Sequence, residues 1–266
     1  MKNRMTATMT NSQDSSQTEK YDCAKCKDLG WVVDGWTARE CSCLEIKRYQ
    51  ARVRGAMIPQ EFKDARLETF EIRQPIHKKM LAEARRYLDE FDSIQKSLGN
   101  SLGFVAEFGE SRIAAISDPR RRSEVKKKYN SYGLGKTHLQ VGIAKEILKR
   151  GTAVLVVSDA IIMDELMMFK NSDNKELYFK KLGTLIEIPV LVWDDLGKSN
   201  SSEAKRAMYY QIINERWKRQ NPVIFSSNED MQTLEMKIGG AAMSRLADMT
   251  WGRIVKCSGI DARIHR

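Results

Sequence analysis

The 266 residues contain no apolar run long enough to span a membrane. Residues 1–20 are polar and rich in Ser, Thr and Gln, with none of the apolar character of an export signal. With neither a signal peptide nor a transmembrane span visible, we expect a cytoplasmic protein without a membrane partner and with a disordered tail over 1–20. Cysteine is also scarce, five in all, and four of the five fall between positions 23 and 43. In such a chain, clustered cysteines point to a metal site rather than to disulfides. Acidic residues are the minority charge: 35 Asp and Glu against 45 Lys and Arg leave a formal +10, which favours polyanionic partners without naming one. The length suits one sizeable core with a small appendage.

The cysteines are arranged as Cys23-x-x-Cys26 and Cys41-x-Cys43. Two close pairs about fifteen residues apart can converge on one tetrahedral centre, with Leu29 to Trp36 forming a hairpin between them. The stretch 21–49 is too short for a core of its own, so it is expected to need zinc in order to fold. The single residue inside the second pair is the less common spacing, and redox or incidental thiols are the alternative. A basic helical stretch follows from Leu44 to Arg54. We therefore expect a zinc-binding module over 21–54, a linker over 55–74 docked through Ile58, Phe62, Leu67 and Phe70, and a main domain over 75–266.

That domain opens with an amphipathic helix from Pro75 to Leu98, with Ile76, Met80, Ala84, Leu88 and Phe91 on one face. A buried strand over 102–108 ends at Gly109. Next, Ser131-Tyr132-Gly133-Leu134-Gly135-Lys136-Thr137-His138 reads as the second half of a phosphate-binding loop entering a helix over 136–149. Glycines 133 and 135 let backbone N–H groups turn inward around an anion, Lys136 can reach terminal phosphates, and the Thr137 hydroxyl can hold Mg²⁺. The glycine that should start the loop is replaced by Asn130. Joining Gly109 to Ser131 restores a complete loop, so residues 110–130 read as a basic insertion, and either Gly109 or Asn130 supplies the first turn. Inside the insertion Asp118-Pro119 starts a helix carrying Arg120, Arg121, Arg122, Lys126, Lys127 and Lys128. This run is either a solvated face or a contact for DNA backbone or nucleotide.

Downstream, Ala153 to Val157 is a buried strand of the parallel type. A helix capped by Ser158 or Asp159 runs to Lys170, and 171–181 reads as a polar, basic connection. The apolar strand Pro189 to Trp193 delivers Asp194 and Asp195 to a sheet edge, where Asp194 can hold Mg²⁺ and Asp195 can orient an attacking water. A helix over 202–219 leads to the strand 222–228, which ends in Asn228 beside the terminal phosphate. This order of elements indicates an α/β fold, a parallel sheet covered by helices with ligands at its carboxyl edge.

Together these residues resemble the AAA+ ATPases of the DnaC/DnaI type, the replicative helicase loaders of bacteria and phages. The resemblance implies a P-loop NTPase (AAA+) fold in which 133–137 is Walker A, 190–195 is Walker B and Asn228 is sensor 1. Arg245, in Ser244-Arg245-Leu246, looks like the arginine finger of a neighbouring subunit, and Arg263 looks like sensor 2. The family departs from this chain at the basic insertion and at Asp195, where many AAA+ proteins carry glutamate. The resemblance further implies ATP and Mg²⁺ as cofactors, a cysteine module that binds a replicative helicase, an ATPase domain on single-stranded DNA, and self-association through ATP interfaces. Two other readings share the core: an IstB-like helper ATPase serving a transposase on duplex DNA, and a nucleotide-binding adaptor with little hydrolysis.

Overall fold

In the computed structural model the described residues are 21–263, so the tail expected over 1–20 lies outside them. The chain divides into two compact units between Arg48 and Tyr49. This division falls inside a helix rather than at position 54, where the sequence placed the end of the module. Among the described residues no helix is long and apolar enough to cross a membrane.

In the first unit, β1 (Trp31–Asp34) and β2 (Thr37–Glu40) form an antiparallel hairpin with Trp31 opposite Glu40, and α1 (Ser42–Gly55) follows. The hairpin runs four residues past its expected end, because its second strand leads straight to Cys41. Lys27 and Asp28 adopt positive φ, 49° and 67°, and turn the chain sharply after Cys26. The Asp28 carboxylate fixes that turn by accepting bonds from the N–H groups of Asp22 and Cys23 and from Lys47, at 3.0, 3.1 and 2.9 Å.

The second unit is a three-layer α/β domain. Its strands are β3 (Leu102–Ala106), β4 (Val154–Ser158), β5 (Val190–Asp194), β6 (Val223–Ser226) and β7 (Ile254–Cys257), all parallel in the order β4-β5-β6-β3-β7. Side chains alternate between two cores. Val190, Val192 and Phe104 pack with α2 (Pro75–Ile94) and α5 (Lys136–Lys149). Leu191, Trp193 and Phe225 pack on the other face with α6 (Asp159–Asn171), α7 (Lys175–Glu187), α8 (Glu203–Arg219), α9 (Met231–Ile238) and α10 (Gly240–Thr250). Burial on both faces explains why these strands read as continuous apolar runs rather than alternating ones. Each such side chain contributes about 1.5–3 kcal/mol. The insertion folds as two short helices, α3 (Glu110–Ala114) and α4 (Pro119–Lys128), with the Asp118 side chain accepting from Arg120 N–H as the N-cap of α4.

Several boundaries differ from the sequence reading. The stretch 171–181 is not a connection: α7 occupies most of it and buries Tyr178, Leu182, Leu185 and Ile186, a helical stripe masked in the sequence by three lysines. Neither Ser158 nor Asp159 caps α6 through its side chain. Asp159 is buried and accepts instead from Tyr209 Oη and from Ser199 N–H at 2.8 Å, which ties α6 to the loop after β5. Helix α2 ends at Ile94 rather than Leu98, and β3 ends at Ala106 rather than 108.

Candidate functional site

The phosphate loop sits at the carboxyl edge of β3. Gly133 and Gly135 have φ of +64° and +76°, a region that penalises any Cβ. At Gly135 a Cβ would also come within 2.6 Å of the Phe70 ring, so the linker closes on the loop through contact with a bare backbone. Leu134 between them is buried in the core and anchors the turn. Asn130 begins the loop: its amide donates to Tyr132 O and Gly259 O, both at 2.9 Å. Gly109 lies elsewhere, preceding α3, where its N–H donates to Asp230 Oδ2 at 2.8 Å. The first turn therefore comes from Asn130, not Gly109. Helix α5 starts at Lys136, and the N–H groups of its first turn lack helical partners, which makes an anion site.

The ends of β5 and β6 deliver the remaining groups to Lys136 and Thr137 on α5. Because β6 lies between β5 and β3, its end projects between the loop and the two aspartates. Thr137 Oγ1 donates to both oxygens of Asp194, at 3.0 and 3.1 Å, uniting the two expected Mg²⁺ ligands. Lys136 Nζ donates to Asn228 Oδ1 at 2.7 Å and to Ser131 O at 2.6 Å. The Asn228 amide then donates to Asp195 Oδ1 at 2.9 Å. Asp195 has φ +54°, a left-handed turn that swings its carboxylate away from Asp194 towards Asn228.

The electrostatics follow from burial. Lys136 is 7% exposed, and loss of water pulls its pKa below the usual lysine value despite the nearby aspartates. Burial, and then the charge of Asp195, push Asp194 above the carboxylate range. A cation placed beside Asp194 would relieve both effects, so the donor set fits Mg²⁺. Tyr132 is held above its ordinary value by burial and by its bond to Glu110.

Other expected residues are placed differently. His138 faces the linker, its Nε2 lying 2.9 Å from Arg66 O and its ring edge-on to Phe70. It makes no contact with the carboxylates. Arg245, on α10, stacks its guanidinium over Trp217 at 4.4 Å and joins none of the bonds of this site. Arg263 is exposed and pairs with Asp261 at 3.3 Å, and Asp261 packs against Gly133, so the C-terminal segment does reach the loop. Two residues went unnoticed in the sequence. Ser226 Oγ donates to Asp194 Oδ1 at 2.6 Å and accepts from Asp195 N–H at 2.9 Å. Gln140, with its amide turned to satisfy its neighbours, donates to Asp194 at 2.8 Å. Their spacing was the available signal: Gln140 follows Thr137 by about one helical turn, and Ser226, the last residue of β6, lies two residues before Asn228.

In the first unit the four Sγ atoms of Cys23, Cys26, Cys41 and Cys43 lie within 4.8 Å of one another. The pairs Cys23/Cys41 and Cys26/Cys43 stand at 3.7 and 3.3 Å. Thiolates about 2.3 Å from a tetrahedral zinc sit about 3.8 Å apart, so the cluster fits Zn²⁺. Gly30 N–H donates to Cys26 Sγ at 3.3 Å, an outer support for that ligand. The unusual second spacing is explained by α1: Cys41 precedes the helix and Cys43 lies in its first turn, which brings both sulfurs to one end. The fifth cysteine, Cys257, is buried in β7.

Residues 129–259 match the family of IstB-like ATP binding proteins. The replicative helicase loader DnaC of Escherichia coli K12 is 27% identical over 167 residues, 62% of this chain and 56% of that protein. Residues 129–259 are thus similar to ATP-binding domains of the IstB and DnaC type. The chain spans little more than half the length of that curated DnaC relative. The IstB/DnaC-type domain also shares its fold with two crystal structures. DnaI superposes with a TM-score of 0.54 at 22% identity, covering 77% of this chain and 94% of that one. The DnaC helicase loader superposes with a TM-score of 0.55 at 22% identity, covering 74% and 100%. The fold, a parallel five-stranded sheet covered by helices, is thus shared with these two structures, as the sequence led us to expect.

Proposed function

We propose that the protein is an ATP-dependent loader that places a replicative helicase on single-stranded DNA. The observation that carries this reading is the continuous bonding from Lys136 through Asn228 to Asp195, beside the Thr137–Asp194 pair. Each is a group that phosphoryl transfer needs in place. Lys136 and the first turn of α5 would hold the phosphates, and Thr137 and Asp194 would hold Mg²⁺. The bound metal would neutralise charge on the phosphate oxygens. Asp195, oriented by Asn228, would align the attacking water, and Asn228 would report the state of the nucleotide to β6. Arg245 would act on the nucleotide of a neighbouring subunit, so that hydrolysis loosens the subunit contact, and Arg263 would follow the loop from the C-terminal segment. In the first unit zinc would order the module, and the exposed Leu29, Trp31, Val33 and Trp36 supply an apolar face for the helicase.

The name of the matching family favours a second reading, a helper ATPase for a transposase on duplex DNA. The four-cysteine module favours the loader. The deciding experiment is capture of purified replicative helicase or transposase by the full chain, with ATP turnover followed with and without single-stranded DNA. The loader reading expects helicase capture and turnover that responds to the single strand. Transposase capture alone supports the second reading, and nucleotide binding without turnover identifies an adaptor. Lys136→Ala should abolish nucleotide binding, and affinity within about twofold of wild type would remove the phosphate-loop assignment.

A further inference from the structure

The basic insertion has no part in the scheme above, yet it builds a cleft directly beside the phosphate loop. The cleft, about 420 Å³, is walled by α3 through Glu110, Ile113 and Ala114, and by α4 through Pro119, Arg122, Ser123 and Lys126, with 130–132 as its floor. The α4 residues recur at positions i, i+3, i+4 and i+7, so they form one stripe of that helix. The opposite wall is apolar at Ile113 and Ala114, and the Tyr132 ring borders the floor.

Two features identify what fits there. First, α4 carries Arg120, Arg121, Arg122, Lys126, Lys127 and Lys128, buries no residue, and leaves all six cations without a carboxylate partner among the described residues. Only backbone or ring contacts are made, such as Lys128 over Tyr129 at 4.9 Å. The one carboxylate in the cleft lining, Glu110, is already engaged by Tyr132 and by Lys198 at 3.3 Å, so it does not cancel Arg122 or Lys126. Ten residues of helix run about 15 Å, longer than a single phosphate needs. Second, the cleft joins cations on one side to apolar and aromatic surface on the other, which suits an unstacked base with its backbone phosphate. A duplex offers phosphates to α4 but no free base to the cleft.

One wall of the cleft, α3, is anchored on the domain. Gly109 N–H and Arg112 bond Asp230, at 2.8 and 3.1 Å, Ser111 N–H bonds Glu229 at 3.0 Å, and Glu110 N–H bonds Asn228 O at 3.0 Å. Glu229 and Asp230 are both buried, so α3 is rooted on the segment that carries Asn228.

We propose that the α3–α4 cleft and the cationic face of α4 are a binding site for single-stranded nucleic acid, with a base between α3 and Tyr132 and its phosphates on Arg122 and Lys126. This rests on the loader reading and assigns it a DNA-contacting surface. The test is fluorescence anisotropy of a labelled oligothymidylate on the full chain across a salt series, comparing wild type with R122A/K126A. Both side chains are exposed, and nucleotide affinity within about twofold of wild type reports an intact fold. The expected result is an affinity loss of about tenfold or more and a salt slope reduced by about 1.4, the contribution of two phosphates on a single strand. Unchanged affinity and slope in the variant, while wild type binds the oligonucleotide, would overturn the site and leave the loader reading standing. An equal loss on a duplex of the same length would overturn the single-strand assignment. Absence of oligonucleotide binding by wild type would remove the DNA arm of the loader reading and this site with it, whereas helicase capture by the same samples reports on the helicase arm independently.

Discussion

Between Tyr21 and Arg48 the chain buries only Cys26, Gly30 and Cys41, and leaves Leu29, Val33 and Trp36 in solvent. From Tyr49 onward two apolar clusters sandwich the sheet, with Trp193, Tyr87, Phe91 and Phe104 fully enclosed. The same burial term, about 25 cal/mol per Å² of apolar surface, is therefore large in the second unit and nearly absent in the first. What remains to order the module is the sulfur cluster, the Asp28 turn and a four-residue hairpin pairing. The contrast teaches that the two units should fail separately: the module by losing metal, the ATPase domain by losing packing or the groups at its sheet edge.

The strongest test of that separation is metal removal. Cys23→Ser or Cys41→Ser should release one equivalent of zinc and unfold residues 21–48, because structural zinc supplies about 10–16 kcal/mol of apparent binding energy to such modules. Hydrogen exchange should rise across the module while the melting of the ATPase domain stays at its wild-type value. Native protein free of zinc by elemental analysis under reducing conditions would end the metal assignment.

Next in size are changes at the ATPase edge that should leave zinc content untouched. Arg245→Ala is expected to cut turnover by on the order of 10³-fold with little change in nucleotide affinity, the scale of an arginine acting across a subunit contact. Mixing it with Asp195→Asn should restore part of the activity, since one mixed interface pairs an intact Asp195 with an intact Arg245. If Arg245 serves only its own subunit through Trp217, mixing restores nothing.

Asp195→Asn alone should keep nucleotide and lose about 10²-fold in turnover, because Asn228 then faces an amide and water loses its orienting carboxylate. Wild-type turnover in this variant would move the role to another residue.

The smallest expected effect has the opposite sign. Asp194→Asn should weaken Mg²⁺-dependent binding yet raise the stability of the nucleotide-free ATPase domain by about 1 kcal/mol, as expected when a site built for function is relaxed. The pH dependence gives the check. Burial and Asp195 raise the folded-state pKa of Asp194, so its ionised form opposes folding. The difference between variant and wild type should grow as pH rises from the unfolded-state value near 3.8 through the folded pKa, and vanish below both. A gap that is constant with pH, measured by denaturant melts, would exclude this cause.

Much of the site was legible because its chemistry is local. Lys136 and Thr137 are adjacent to their glycines, and Asp194 and Asp195 end an apolar run, so spacing alone announces them. The helix α7 was not legible, since Lys175, Lys180 and Lys181 give its exposed face a stronger signal than Tyr178, Leu182 and Leu185 give its buried one. Ser226 and Gln140 were missed for a different reason. Each is an ordinary polar residue until the strand order brings it against Asp194.

By itself the sequence determined the α/β class, the phosphate loop, the paired aspartates and the four sulfurs, because each depends on residue type and short-range spacing. Only the tertiary structure decided that β6 lies between β5 and β3 and so places Asn228 between Lys136 and Asp195. It likewise decided that Asn130 rather than Gly109 opens the loop, and that α3 and α4 form a cleft beside it. These are contacts between segments 33 to 129 residues apart in the chain, or choices among neighbours that only packing can make, and no local periodicity encodes them.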